Sequence, residues 1–433
     1  MTNSTQRRAG FGSRRGIGTA AALAATALTL AACSTKAPDS GSGGGGGGGE
    51  GGVQTDVGVT ADTISLGAFT DQSGVFKNLG IGITQGNQLW ADSINEQGGI
   101  CGRQVAIEVA DHGYKADTAV TLYPALSEKV LGMVQLLGSP VVAALGQNLQ
   151  DDEVTAIPAS WSSELLSNPY IAIVGTTYDL EMIDGMSYLQ EQGLLNDGDK
   201  VGHIYIDGEY GKNGLRGSQY YAQEHGIEVV EAKIASTDTD MTNIVTGFKD
   251  QGVNAILLTV APSTTASTLA ANAGLGLNVP VMGNNPVWDP ALLQSPAKDA
   301  LGNLYVSASS VPYSSDVPKA QEVATAYEAQ YTEPPNAGVD VGYAEGMVWQ
   351  AFLEKACTNG DMTRAGLHEA VLQTTSASTD DLVADLDFSS PGTPATRQVY
   401  IAQPDAAAPG GLTQVQPLFE APEAESYVAP HQK

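Results

Sequence analysis

Positive charge and cysteine are both scarce in this chain of 433 residues. Twenty lysines and arginines stand against 48 aspartates and glutamates, which leaves a formal net charge of −28 at pH 7. A chain without a basic footprint is not expected to bind nucleic acid or to lie flat on an anionic membrane. The five histidines lack metal-ligand spacing, and neither a phosphate-binding loop nor a Gly-x-Ser-x-Gly elbow is present. We therefore expect no enzyme, no metal and no cofactor.

The N-terminus predicts export from the cell. Four arginines within the first 15 residues precede an uncharged apolar run over 17–32, which is too short for a membrane span. Residues 1–32 are therefore predicted to be a signal peptide, for either the general or the twin-arginine route. The sequence from Leu30 to Cys33 resembles the lipobox of bacterial lipoproteins, which implies that Cys33 becomes a lipidated N-terminus. The alternative is an ordinary signal peptide with a chance cysteine.

The segment 33–61 is predicted to be a flexible tether. Most of it is glycine with serine, proline and a few acids, so it can bury little surface and is costly to order. Two or more acyl chains on Cys33 would anchor the protein stably, and the tether would hold a folded body off the membrane surface. The roughly 370 residues that remain are long enough for two domains.

Short apolar runs alternate with amphipathic stretches through this body. Strands are predicted at 64–69, 105–109, 133–137, 154–157, 171–174, 201–206, 227–233, 255–259, 279–282, 304–307, 382–388 and 397–402. Helices are predicted at 79–97, 117–130, 141–149, 181–192, 212–225, 241–250, 264–273, 317–331, 339–356 and 364–373. This rhythm indicates an α/β protein with two doubly wound, mostly parallel sheets, and the tail after Gln403 is predicted to be loose. Ligands of such sheets bind beyond the carboxyl ends of the strands.

Two cysteines remain after Cys33. Cys101 falls in a predicted loop and Cys357 ends a predicted helix. In an oxidising compartment they form either a disulfide or a pair of buried free thiols. They can meet only if both belong to the same lobe.

An ordered series of short motifs resembles a known family. The segments are 69–74 (FTDQSG), 94–103 (INEQGGICGR), 137–139 (LGS), 157–160 (IPAS), 210–214 (YGKNG) and 281–285 (VMGNN). Together they resemble the leucine/isoleucine/valine-binding proteins, which are type I periplasmic binding proteins, over most of the chain after Thr60. The resemblance implies two lobes joined by a three-segment hinge near 178–179, 311–312 and 375–376. Lobe one would comprise 62–178 plus 312–375, lobe two 179–311 plus 376–420, with 421–433 a loose tail.

The resemblance also implies where a ligand binds. Both cysteines would lie in lobe one, which makes a disulfide between them possible. Hydroxyls beside helix N-termini would hold a ligand carboxylate, although such serines can also be helix caps alone. The implied ligand contacts are Ser73, Phe76, Ser139, Ser160, Trp161 and Ser162 in lobe one, and Tyr210, Asn284, Asn285 and Trp288 in lobe two.

One departure from the family concerns the ligand's charge. Amino-acid binders place a carboxylate where this chain has Asn284 and Asn285, and an amide cannot pair a buried ammonium group. Either Asp289 or Glu209 substitutes, or the ligand is not an α-amino acid. Phe76, Trp161 and Trp288 together favour a flat, apolar or aromatic ligand such as a carboxylate, and the alternative for each of them is ordinary packing.

The expected function is that of an extracytoplasmic solute-binding lipoprotein. The chain would capture a small molecule by closing its lobes and pass it to the permease subunits of an ABC importer. We expect a monomer that touches the membrane only through its lipid anchor. The alternative is a ligand-sensing receptor domain that works with a separate signalling partner, since no membrane-spanning segment follows the domain.

Overall fold

A four-stranded parallel sheet forms first along the chain. The structure, a computed structural model, describes residues 52–433. Its first elements are β1 (Gln54–Thr55), β2 (Thr63–Thr70), α1 (Lys77–Glu96), β3 (Gln104–Asp111), α2 (Ala116–Ser127), β4 (Gly132–Leu137), α3 (Ser139–Asp151) and β5 (Ala156–Ala159). The sheet order is β3-β2-β4-β5, and every pairing in it is parallel. β4 and β5 are buried along their whole length, as expected of parallel strands covered on both faces.

A seven-stranded sheet follows. Its first elements are α4 (Tyr178–Glu191), β6 (Lys200–Ile206), α5 (Glu209–His225), β7 (Glu228–Ile234), α6 (Thr242–Asp250), β8 (Ala255–Thr259), α7 (Pro262–Gly274), β9 (Val281–Asn284) and β10 (Leu304–Ala308). These five strands are parallel neighbours in the order β10-β9-β8-β6-β7. We call the part built on the four-stranded sheet lobe one and the part built on this sheet lobe two.

The chain then returns to lobe one with α8 (Pro318–Gln330), α9 (Gly338–Asn359), β11 (Asp361–Met362) and α10 (Arg364–Leu372). α9 packs along α1 at close range. A Cβ at Gly86 would lie 2.1 Å from the Val339 carbonyl oxygen, so only glycine permits this approach. Cys101 and Cys357 form a disulfide with their Cα atoms 6.1 Å apart, which ties the end of α9 to the loop after α1.

The last elements complete lobe two. They are β12 (Val399–Pro404), β13 (Leu412–Phe419) and α11 (Pro422–Ser426). β12 pairs antiparallel with β10, and β13 pairs antiparallel with β12 at the edge of the sheet. The prediction that the chain is loose after Gln403 is therefore wrong for the segment that forms β13. Pro417 obscured the strand in the sequence, yet proline is tolerated at an edge because an edge strand need not donate every N–H group.

Two segments predicted to be strands are not strands. The predicted strands at 171–174 and 382–388 make only isolated bridges, such as Ser310 with Val383 and Ala156 with Ile171. Leu382, Leu386 and Phe388 are buried in the hydrophobic cluster of lobe one, among the side chains of α9. Their apolar character reflects burial of a loop against a helix, which periodicity alone does not distinguish from a strand.

Three crossovers between the lobes meet at one point. Thr176 donates its N–H to Ser309 Oγ at 2.9 Å, and its hydroxyl donates to the carbonyl oxygen of Gln398 at 2.5 Å. Because residues 377–388 pack with lobe one, the third crossover lies close to Gln398 and beyond the predicted position at 375–376. The full set of domain boundaries stays a prediction.

The predicted signal peptide, the predicted lipidation site Cys33 and residues 33–51 of the predicted tether lie outside the described residues. The end of that tether is ordered, because Gln54 and Thr55 form β1 and pair with β11. Between residues 52 and 433, no helix combines the length and the apolar character that crossing a bilayer requires.

Candidate functional site

Two buried serines lie at the carboxyl ends of β4 and β5. Ser139 is the first residue of α3, Ser160 follows β5, and their Oγ atoms are 2.5 Å apart. Gly138 precedes them with φ at 99°, and a Cβ there would lie 2.8 Å from the Tyr114 ring. Only glycine suits that turn. It brings two hydroxyls to the positive end of a helix, where a hydrogen-bond-accepting or anionic group is stabilised.

A third hydroxyl lies close by in sequence. Ser162 Oγ is buried, and it has no hydrogen-bond partner within residues 52–433. An unpaired buried hydroxyl is costly unless a ligand or water meets it. Ser73 is placed differently, because it is exposed and its hydroxyl lies beside the loop at Gly113.

Five aromatic side chains join the lobes beside the serines. Phe76 of lobe one and Tyr210 of lobe two have ring centroids 6.2 Å apart, and Tyr178 lies 4.6 Å from Tyr210. Tyr114 packs on Phe76 at 4.8 Å, and Trp161 packs on Tyr178 at 6.0 Å. The lobes therefore touch through aromatic rings, and the contact between Phe76 and Tyr210 is edge-to-face. Sequence reasoning missed Tyr114 as a site residue, although its position directly after β3 was the available signal.

Polar atoms of these rings are anchored to the backbone. Trp161 donates its Nε1–H to the Val174 carbonyl at 2.8 Å, and Tyr210 donates its hydroxyl to the Val260 carbonyl at 3.3 Å. Burial raises the pKa of Tyr178 and Tyr210, so both are neutral phenols. The rings are held in place by these bonds and present mainly apolar surface to the cleft.

A buried carboxyl group lies behind the aromatic residues. Glu181, in the first turn of α4, accepts hydrogen bonds from Asn284 Nδ2 at 3.1 Å and from the backbone N–H of Asn285 at 3.3 Å. Its other oxygen lies 3.0 Å from Ser309 Oγ. Burial raises the pKa of Glu181 to about 8, against the lowering effect of these bonds. The sequence showed no sign of this role, because acids are common in the first turn of a helix.

The two predicted asparagines have different surroundings. Asn284 is fully buried and also donates to the Tyr178 carbonyl at 3.1 Å and accepts from Thr259 Oγ1 at 2.9 Å. The structure thus places Asn284 in an internal network with its amide already bonded. Asn285 differs, because its Nδ2 is buried without a partner in the described chain and the residue lines a cavity.

Three cavities lie along the cleft and share lining residues. One of about 290 Å³ lies between the start of α1 and the loop after β9, and one of about 430 Å³ lies further along α1. A void of about 20 Å³ shares Leu79 and Trp288 with the first and Asn336 with the second. Large apolar residues on their walls are Phe76, Leu79, Ile81, Trp288, Leu292 and Leu293. Trp288 is held by a hydrogen bond from Nε1 to the Gly410 carbonyl at 3.2 Å.

The two acids that the sequence offered as ammonium partners both have hydrogen-bond partners in the structure. Asp289 accepts from Asn78 Nδ2 across the cleft at 2.8 Å and from the N–H of Ala291 at 2.7 Å. Glu209 lies beside Glu164 of lobe one, and the hydrogen bond between these carboxyls is the main cause that raises the pKa of Glu209 to about 7. Glu209 is thus paired with another carboxyl group. Asp289 has only neutral donors and lines all three cavities, so it stays the candidate partner for a cationic group in the cleft.

A profile of the periplasmic binding protein family matches residues 63–409. The chain belongs to the periplasmic binding protein family. It is 40% identical to the fatty acid ABC transporter substrate-binding protein from Thermomonospora curvata, with a TM-score of 0.85 over 88% of this chain and 98% of that one. Among curated proteins, none was found to match.

More distant relatives share the fold of this periplasmic binding protein. The branched chain amino acid ABC transporter from Thermus thermophilus with bound valine is 19% identical, with a TM-score of 0.73 over 84% of this chain and 98% of that one. The solute binding protein from R. palustris in complex with 4-hydroxybenzoate is 20% identical, with a TM-score of 0.71 over 83% and 97% of the two chains. The predicted family and the two-lobed α/β fold are thus confirmed.

The chemical groups in the cleft of this periplasmic binding protein suit the binding of a small molecule. Within residues 52–433, no group of three or more histidines, cysteines or acids is arranged to hold a metal ion. The cleft instead combines hydroxyl donors, neutral aromatic rings and apolar cavities. The structure joins Phe76, Trp161 and Tyr210 through Tyr178 and sets Ser139 against Ser160, while Asn285 and Trp288 line one cavity. Ser73 is exposed and Asn284 is bonded internally. The contact of each predicted residue with a ligand stays a prediction.

Proposed function

We propose that this protein is the substrate-binding component of an ABC importer and that it binds an apolar monocarboxylate of the fatty acid class. One observation carries the proposal. The hydroxyls of Ser139 and Ser160 meet at the start of α3, and the cavities along the cleft carry large apolar side chains such as Leu79 and Trp288 on their walls. The relative from Thermomonospora curvata, named as a fatty acid binder, supports the same ligand class.

The carboxylate is placed at the serine pair for a physical reason. Two hydroxyls and the start of α3 supply hydrogen bonds and positive potential without a buried counter-charge. The cavities then take the alkyl chain, whose burial supplies most of the affinity at about 0.8 kcal/mol per CH₂ group. Phe76 and Tyr210 lie between the two regions, so a bound chain passes the contact between these rings.

A ligand panel tests the proposal. Isothermal titration would compare octanoate, dodecanoate and hexadecanoate with leucine, 4-hydroxybenzoate and dodecanol. We expect affinity to rise with alkyl length, dodecanol to bind more weakly than dodecanoate, and leucine not to bind. Tight binding of leucine alone would overturn the ligand class while leaving the importer role intact.

The orientation of the ligand is tested separately. Lys77, an exposed residue on the wall of the 290 Å³ cavity, is a possible partner for a carboxylate that enters in the reverse direction. Ser139→Ala should weaken dodecanoate binding about tenfold, whereas Lys77→Met should leave it nearly unchanged. The opposite result would place the carboxylate at the mouth of the cleft.

Export and anchoring complete the proposed role. Cys33 would carry the acyl chains that keep the protein at the outer face of the cell membrane. Cells labelled with a radioactive fatty acid should incorporate the label into the wild type, and Cys33→Ser should abolish it and release the protein. Deletion of the partner permease should stop uptake of the ligand without changing its affinity for the purified protein.

A further inference from the structure

A void beside the second crossover is lined by two residues that each carry an unpaired polar atom. The polar residues Asp289 and Asn336 also line it, among apolar side chains. Asn285 Nδ2 and Ser310 Oγ are both buried, and neither has a hydrogen-bond partner in the described residues. Both residues line the void of about 20 Å³. Apolar residues that line it are Leu79, Trp288, Val306, Ala308, Val311 and Leu412.

The direction of the Ser310 side chain follows from the strand that precedes it. Successive side chains of β10 point to opposite faces, and Val306 and Ala308 line the void. Ser310 continues that alternation, whereas Ser309 bonds to Glu181 on the other face. Pairing of Ser310 with Val383 holds its backbone.

Asn285 is held with similar rigidity. Its backbone N–H donates to Glu181 Oε2 at 3.3 Å, and the residue opens a short 3-10 helix after β9. The backbone of both residues is therefore fixed beside the void. Leaving both unpaired against an alkyl chain would be costly, since a buried donor without a partner forfeits its hydration.

We propose that Asn285 and Ser310 form a second polar subsite, which recognises a hydrogen-bond-accepting oxygen carried on the ligand chain. The void has room for about one water-sized group, so a keto or hydroxyl oxygen fits and a branch does not. This inference rests on the proposed function. It refines the substrate class from plain alkanoates to chains oxygenated at a defined distance from the carboxylate.

Matched ligands test the subsite. Isothermal titration would compare dodecanoate with a series of oxo-dodecanoates in which the keto group is moved one carbon at a time. We expect one position to bind about three- to tenfold more tightly than dodecanoate, the gain expected of one or two buried hydrogen bonds. Ser310→Ala and Asn285→Leu should each remove that gain, so that the oxygenated ligand binds each variant no more tightly than dodecanoate does.

Ser307 provides the matched control variant. Its hydroxyl is also buried without a partner in the described part of the chain, but Ser307 does not line the void. Ser307→Ala should keep the preference for the oxygenated ligand. If dodecanoate binds and no keto position improves it, the polar pair holds only a buried water and the subsite is refuted. If no alkanoate binds at all, the proposed function fails and the subsite fails with it.

Discussion

Glu181 Oε1 and Ser309 Oγ lie 3.0 Å apart, across the point where the first two crossovers meet. Ser309 Oγ also accepts from the Thr176 N–H at 2.9 Å and lies 3.2 Å from the Thr176 carbonyl. When Glu181 is protonated, its hydroxyl donates to Ser309, which is then free to donate to Thr176. When Glu181 is ionised, Ser309 must turn its proton to the carboxylate and leave the Thr176 carbonyl unpaired. The protonation state of one acid thus sets the hydrogen bonds of the hinge.

The first prediction concerns how the stability of the Glu181→Gln variant depends on pH. Glu181 has its pKa raised from 4.5 to about 8, so between these values the folded chain keeps a proton that the unfolded chain loses. Its contribution to the free energy of unfolding is fully present below pH 4.5 and is lost as pH rises to about 8. Glutamine mimics the neutral acid. As pH rises from 4.5 to about 8, the free energy of unfolding of the variant should therefore rise relative to that of the wild type by on the order of a few kcal/mol. Urea unfolding from pH 5 to 9 measures the difference.

Exposed Glu96 supplies the control for that experiment, since Glu96→Gln changes the same charge away from the hinge. Its stability difference from the wild type should stay nearly constant with pH. A flat difference for Glu181→Gln as well would mean that Glu181 is already ionised in the folded protein.

The second prediction concerns how the affinity for dodecanoate depends on pH through Glu209 and Glu164, the carboxyl pair that spans the lobes. Closure brings Glu209 beside Glu164, which raises the pKa of Glu209 to about 7, while Arg216, Lys212 and His431 also face this pair. Protonation of Glu209 therefore favours the closed state, and affinity for dodecanoate should fall as pH rises through 7. Glu209→Gln should remove most of this fall when binding is titrated from pH 5.5 to 8.5.

Glu224, exposed on the same helix, is the matched control for Glu209. Glu224→Gln should retain the pH dependence of the wild type. Should Glu209→Gln retain it too, the closing of the lobes is insensitive to this carboxyl pair.

The third prediction is a double-mutant cycle on the serine pair. Ser139→Ala and Ser160→Ala should each weaken dodecanoate binding about tenfold, because each removes a donor from the carboxylate pocket. The double variant should lose less than the product of the two effects, since the hydroxyls bond to each other. Exposed Ser73 is the control, and Ser73→Ala should bind normally. Unchanged binding in both single variants would show that the ligand carboxylate does not bind at these serines.

The fourth prediction concerns the disulfide. Cys101 and Cys357 are 256 residues apart in sequence, so their bond closes a long loop of the unfolded chain. Replacing both with serine should lower the free energy of unfolding by about 2–5 kcal/mol without changing ligand affinity, since the bond lies away from the cleft. A reducing agent should lower the melting temperature of the wild type and leave that of the double variant unaltered. Equal melting temperatures of the two proteins without reductant would contradict this.

Much of the fold and part of the site followed from the sequence. Alternating strands and helices gave the two-lobed α/β architecture, because burial on both faces of a parallel sheet leaves a continuous apolar signature in each strand. Polar residues after strand ends indicated Ser139 and Ser160. The same reasoning left the side chain of Ser73 undecided, because a loop residue after a strand can turn either into the cleft or into solvent, and Ser73 is exposed.

Local sequence thus determined most of the strands and helices and the position of Ser139 and Ser160 after two strands, because propensity and periodicity act over a few residues. Only the tertiary structure decided the surroundings of Glu181, whose proton depends on β9 and β10, more than 100 residues along the chain. The same holds for Ser310, since an orphaned hydroxyl becomes a candidate contact only once a cavity forms beside it. Burial, hydrogen-bond satisfaction and pKa are properties of the packed neighbourhood, and no short stretch of residues specifies them.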